Sequence, residues 1–173
     1  MITPPGHDSP SRIHLKKILV VEDSVLLQML YKLVLGRYRD AGTEILVVGD
    51  GRQGLDTLFA NPDTELIILD IKMPVIGGLE FLRLVKREPR FSHIPVIIAS
   101  SEGKEHDTRA GLDAGAAGYV IKPFNPDDLH GMIERVVEGK GHGIASRVVD
   151  AVTSKPASGA AAKRPKPDWW SKR

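Results

Sequence analysis

The chain has 173 residues, 42% of them hydrophobic, with a formal net charge of +2 and no cysteine. That length suits one well-buried domain plus extra segments, and the missing thiols exclude disulfides and thiolate chemistry. No stretch approaches the roughly 18 apolar residues of a membrane span, and the opening "MITPPGHDSPSR" has no apolar h-region, so a cytoplasmic protein is expected.

Residues 1–14 carry no core-forming pattern and read as a flexible N-terminal segment. The first strand-length apolar run follows in "KILVVED" (17–23). Next, Leu26, Leu30, Leu33 and Val34 fall at i, i+4, i+7 and i+8, an apolar stripe on one helical face. "EILVVGD" (44–50) supplies a second strand, and Gly54–Ala60 a second helix. "ELIILD" (65–70) is a third strand, with four consecutive apolar residues before Asp70, the pattern of a strand buried on both faces. Leu79–Arg87, "IPVIIASS" (94–101), Glu105–Ala114, "GYVIKP" (118–123) and Pro126–Glu138 continue the alternation. The last helix opens with Asn125 as N-cap, Pro126 at its first position and Asp128 in its first turn. Alternating strands and helices with short, right-handed crossovers predict an α/β fold, a five-stranded parallel sheet with helices on both faces.

In open sheets of this kind ligands bind beyond the carboxyl ends of the strands, where the strand order reverses. Those ends carry Glu22 and Asp23 after the first strand, Asp70 after the third, Ser100 after the fourth and Lys122 after the fifth. Clustered carboxylates repel one another unless a cation lies between them, and a hard divalent ion with oxygen ligands, Mg²⁺ above all, meets that need. Taken singly, Asp70 is as well explained as a turn former and Glu22 as a solvated rim charge. Ser100 and its neighbour Ser101 could each cap the next helix; strand register favours Ser100 for the site. The six histidines, at positions 7, 14, 93, 106, 130 and 142, have no ligand spacing.

The ordered motifs "VVEDS" (20–24), "LDIKMPVIGG" (69–78), "IIASS" (97–101) and "AGAAGYVIKPF" (114–124) resemble the receiver domain of two-component response regulators, of the single-domain chemotaxis type. The resemblance spans about residues 15–139. It implies a flavodoxin-like, doubly wound sheet of order 2-1-3-4-5 and a cis Lys122–Pro123 bond. Carried over residue by residue, it makes Asp70 the phosphoacceptor and Lys122 its phosphate-pairing lysine. Glu22, Asp23, Asp70 and the main-chain carbonyl of Lys72 become the Mg²⁺ set. Ser100 joins Asp70 and Lys122 in the catalytic set, meeting a phosphoryl oxygen together with nearby backbone N–H groups, and with Tyr119 it forms the switch pair. Lys72 and Glu102 would border the route of water to the acyl phosphate, where an ion pair between them could cover the mouth. The partners implied are a sensor histidine kinase or histidine phosphotransfer protein and an output protein bound through the 105–138 face. Lys72, two residues after Asp70, stands where an aspartyl phosphatase would want a second Asp, which disfavours enzymatic turnover.

Residues 140–173 hold eight of the 24 Lys and Arg and two of the 22 Asp and Glu, so this tail is net +6 and the rest net −4. Within it, Ile144, Val148, Val149 and Val152 share one helical face, a short helix near 144–153 suited to docking on the receiver or a partner. The basic "KRPKPDWWSKR" end, with Trp169 and Trp170, suits a partner's groove. No helix-turn-helix fits after residue 139, so sequence-specific DNA binding is not expected.

Overall fold

A computed structural model describes residues 13–101 and 105–139. Five strands, β1 (Lys17–Val21), β2 (Glu44–Val48), β3 (Leu66–Leu69), β4 (Val96–Ser100) and β5 (Gly118–Ile121), pair in parallel in the order β2-β1-β3-β4-β5. The expected sheet and its order are therefore present. The chain steps outward from β1 to β2, then returns past β1 to β3, so the strand order reverses between β1 and β3. Register brings the carboxyl ends level: Val21 pairs with Val48 and Leu69, and Ser100 with Ile121.

Among the described residues six helices cover the faces: α1 (Val25–Val34), α2 (Gly36–Asp40), α3 (Gly51–Ala60), α4 (Gly78–Arg87), α5 (Glu105–Asp113) and α6 (Pro126–Val137). Alternation along the strands divides the core in two. Ile18, Val20, Leu66, Ile68, Ile97, Ala99 and Val120 face α1, α2 and α6. Leu19, Val21, Ile67, Leu69, Val96, Ile98 and Tyr119 face the other way, where Leu55 and Leu58 of α3 and Phe81, Leu82 and Val85 of α4 close over them. Central strands buried on both faces explain the unbroken apolar runs.

The helix after β1 departs from the sequence expectation. Leu26 and Leu33 are 76% and 78% exposed and Leu30 is also open; only Val34 of the expected stripe is buried. The buried seam lies one position over, through Leu27, Tyr31, Val34 and Leu35. In α1 every residue except Gln28 and Lys32 is apolar or aromatic, so periodicity alone offers two faces. The Tyr31 ring, 5.6 Å from Phe124, goes inward because it buries the most area there. One boundary also moves. The helix expected from Gly54 begins at Gly51, capped by the Asp50 side chain accepting from Gln53 N at 2.9 Å. The short α2 had no sequence signal of its own. The first twelve residues, Glu102 and the tail with its expected helix and two tryptophans lie outside the described residues.

Candidate functional site

Backbone ladders run one residue past the strands and fix the site. Glu22 N donates to Val48 O at 3.0 Å, Asp70 N to Val21 O at 2.9 Å, and Lys122 N to Ser100 O at 2.8 Å. The residues that leave β1, β3 and β5 are thus held at one edge, at the reversal point. Helix starts complete the frame. Ser24 caps α1 with its hydroxyl accepting from Leu27 N, and Asn125 caps α6 by accepting from Asp128 N at 2.8 Å. The Lys122–Pro123 peptide is cis, as the sequence resemblance implied.

The side chains converge from these ends. Lys122 Nζ lies 2.6 Å from Glu22 Oε2 and 3.0 Å from Asp70 Oδ1, with all three side chains almost fully buried. Glu22 Oε1 also accepts from Ser24 N at 3.2 Å, and Gln28 Nε2 donates to the Glu22 carbonyl at 2.7 Å. Burial nevertheless raises the Glu22 carboxyl above its ordinary range, because desolvation outweighs the Lys122 ammonium. The same burial, with the charges of Glu22 and Asp70, pushes the Tyr31 phenol upward. Glu22, Asp23 and Asp70 each offer an oxygen, all within 4.8 Å of one another. Asp23 is exposed, so the cluster opens to solvent on its side.

Around the cluster is a cleft of about 370 Å³ lined by Ser24, Leu27, Lys72, Ser101 and Pro123 as well as Glu22, Asp23, Asp70 and Lys122. The loop from β3 to α4 contributes Asp70 and Lys72 to its lining. Gly78 N donates to Ile71 O at 2.9 Å, and a Cβ on Gly78 would collide with the Asp70 carbonyl, so this close return admits only glycine. Val75 adopts φ 67° at the loop's exposed tip, a left-handed conformation that β-branched residues avoid.

Of the residues expected at the site, Glu22, Asp23, Asp70 and Lys122 meet, with Lys72 in the cleft wall. Ser100 is buried at the end of β4, while Ser101 lines the cleft. Ser100 lies on the same face of the sheet as Ile98 and Tyr119, and Tyr119 is buried. Glu102, the second half of the expected Lys72–Glu102 pair, lies outside the described residues. The sequence reading assigned no role to Ser24 or Gln28. Ser24 had a legible signal, a hydroxyl residue directly before an apolar run; Gln28 had none.

Fold and site together define a doubly wound α/β protein with an acidic centre at its strand-reversal point. The family model for the response regulator receiver domain matches residues 18–134, and the chain belongs to that family. Chemotaxis protein CheY1 of Helicobacter pylori is 35% identical over 123 residues, 70% of this chain and 96% of that protein. The solved structure of the Vibrio cholerae chemotaxis response regulator CheY4 superposes with a TM-score of 0.64 at 31% identity, covering 70% of this chain and 98% of that one. A receiver domain from a Pseudomonas aeruginosa sensor histidine kinase, described with a magnesium ion in its active-site cleft, gives 0.64 at 25% identity over 72% of this chain and 98% of its own. The donor set here fits such an ion: three carboxylates, hard oxygen ligands, one of them open to water. No helix among the described residues is long and apolar enough to cross a membrane.

Proposed function

We propose that this chain is a phosphorylation switch in which Asp70 accepts a phosphoryl group from a histidine kinase or histidine phosphotransfer protein. The contact that carries the reading is Lys122 Nζ at 3.0 Å from Asp70 Oδ1, beside two further carboxylates with an open side. An Asp70 oxygen attacks phosphorus, the bond from phosphorus to the donor imidazole nitrogen breaks, and the imidazole leaves to regain its proton. Charge then spreads over three equatorial oxygens, and positioned cations do most of the catalysis. Lys122 neutralises one oxygen, and the backbone around Ser100 and Ser101 meets another. Glu22, Asp23, Asp70 and the Lys72 carbonyl would hold Mg²⁺, which supplies the remaining neutralisation. The chain acts on nothing but its own acyl phosphate.

Occupation of Asp70 draws Lys122 away from Glu22 and biases β4 and β5 through Ser100, Lys122 and Tyr119, with the 105–138 face and the tail presenting the change to an output protein. Residues 15–139 form the receiver unit in this reading and 140–173 a basic appendage.

The test is incubation with acetyl phosphate and MgCl₂, followed by intact mass. The chain is expected to gain one HPO₃, and Asp70→Asn or added EDTA to abolish the gain. Equal labelling of Asp70→Asn would overturn the reading; no adduct on the parent chain would leave a scaffold that does not take phosphate.

A further inference from the structure

Glu22 and Asp23 are consecutive, and in an extended strand consecutive side chains point to opposite faces of the sheet. Yet both offer a carboxylate oxygen to one cluster, within 4.8 Å of each other and of an Asp70 oxygen. The chain achieves this by bending at Asp23 as it leaves β1. The peptide that joins the two residues, the Glu22 carbonyl with the Asp23 N–H, therefore sets the angle between their carboxylates. Whatever fixes that peptide fixes the donor set.

Three contacts hold it. Glu22 N donates to Val48 O at 3.0 Å, which ties the near side of the bend to β2. Ser24 N donates to Glu22 Oε1 at 3.2 Å from the far side. The Glu22 carbonyl itself accepts from Gln28 Nε2 at 2.7 Å, the short end of the range for such bonds. A carbonyl only accepts, so the nitrogen of the Gln28 amide and not its oxygen must face it. Gln28 stands one helical turn after Ser24, the N-cap of α1, and long helical side chains lean toward the helix N-terminus, which lays this one over the bend. The half-buried amide has a second neighbour in the β2–α3 connection, where a Cβ on Gly49 would lie 3.8 Å from Nε2, at ordinary contact distance.

We propose that Gln28 is a positioning residue for the metal centre: its amide clamps the Glu22–Asp23 peptide and so fits the acidic cluster to a small ion of strict geometry, Mg²⁺ in preference to Ca²⁺. The proposal rests on the reading of Glu22, Asp23 and Asp70 as Mg²⁺ ligands. Gln28 is not among the residues that line the cleft, so it acts through the two carboxylates it orients. Mg²⁺ demands near-octahedral oxygens at about 2.0–2.1 Å, whereas Ca²⁺ takes more ligands at about 2.3–2.6 Å in flexible arrangements. A bend free to rock costs Mg²⁺ its geometry and leaves Ca²⁺ able to adjust. Hydrogen-bond partners of metal ligands typically contribute about 10–100-fold in affinity, and a bond to a ligand's backbone rather than its carboxylate belongs near the lower figure.

The test is an NMR titration of backbone amides in the full-length chain with MgCl₂ and, separately, with CaCl₂. Gln28→Met keeps the length of the side chain and removes the donor. It is expected to weaken Mg²⁺ about tenfold and Ca²⁺ less than about threefold, so that the preference for Mg²⁺ falls. Val34→Ala, which loosens the buried far end of the same helix, is expected to leave both affinities within about twofold of the parent. Parent-like Mg²⁺ affinity in Gln28→Met, equal loss for the two ions, or the same loss in Val34→Ala would each overturn the clamp while leaving the Mg²⁺ site in place. A parent chain that binds no Mg²⁺ would overturn the reading of the site itself, and the clamp with it.

Discussion

At the scale of single residues, the site depends on what is missing as much as on what is present. Gly77 and Gly78 are adjacent and alike in sequence, yet a Cβ at 77 meets nothing closer than 3.9 Å while one at 78 would collide with the Asp70 backbone. Gly78→Ala is expected to lose about 3 kcal/mol or more in urea unfolding and to slow phosphorylation by acetyl phosphate, with Gly77→Ala within about 1 kcal/mol of the parent. Lys122 makes the opposite case, a buried charge whose removal leaves Glu22 and Asp70 facing each other. Lys122→Ala should destabilise the chain by about 3 kcal/mol in urea unfolding at pH 7 in EDTA, because it leaves two buried carboxylates without their shared ammonium. Glu22, Asp23, Asp70 and Lys122 were legible because each stands where an apolar run stops. Gln28 was not, since nothing in sequence marks a side chain that reaches back six residues to a carbonyl.

Secondary elements were legible where their signal is one-dimensional and ambiguous where it is not. The central strands β1, β3 and β4 lie close to their apolar runs because burial on both faces demands such runs, and the edge strands β2 and β5 carry similar runs at lower burial in β2. For α1 the same rule fails: with apolar residues almost throughout, its inner side is chosen by Tyr31 against Phe124, a contact 93 residues ahead that no local window contains. The start of α6, by contrast, was plain from Asn125, Pro126 and Asp128, and the structure has that cap. Asn125→Ala is expected to cost about 1 kcal/mol in stability and to increase amide exchange in the first turn of α6, close to Lys122. Loss of stability without that local exchange would mean the cap acts elsewhere.

For the molecule as a whole, parallel topology forces every crossover back over a face, and one such return carries a half-buried charge. Lys86 in α4 donates to the carbonyls of Ser92 at 3.1 Å and Ile94 at 2.6 Å, tying the α4–β4 connection to the helix. Desolvation lowers its ammonium below the ordinary value of 10.5. Between that lowered value and 10.5 the unfolded chain binds more protons than the folded one, so folding gains stability as pH rises. The stability of the parent relative to Lys86→Met, from urea unfolding, is therefore expected to be lowest near neutral pH and to climb as pH approaches 10.5. A flat difference would show that the ammonium is as well solvated folded as unfolded. The pairing of Lys122 with Glu22, one hundred residues apart in sequence, has a further bearing. No contiguous fragment ending before β5 can carry the complete centre, since such a fragment holds Glu22, Asp23 and Asp70 but not the ammonium that joins two of them. The charge cluster is thus assembled only once the last strand has been added to the sheet.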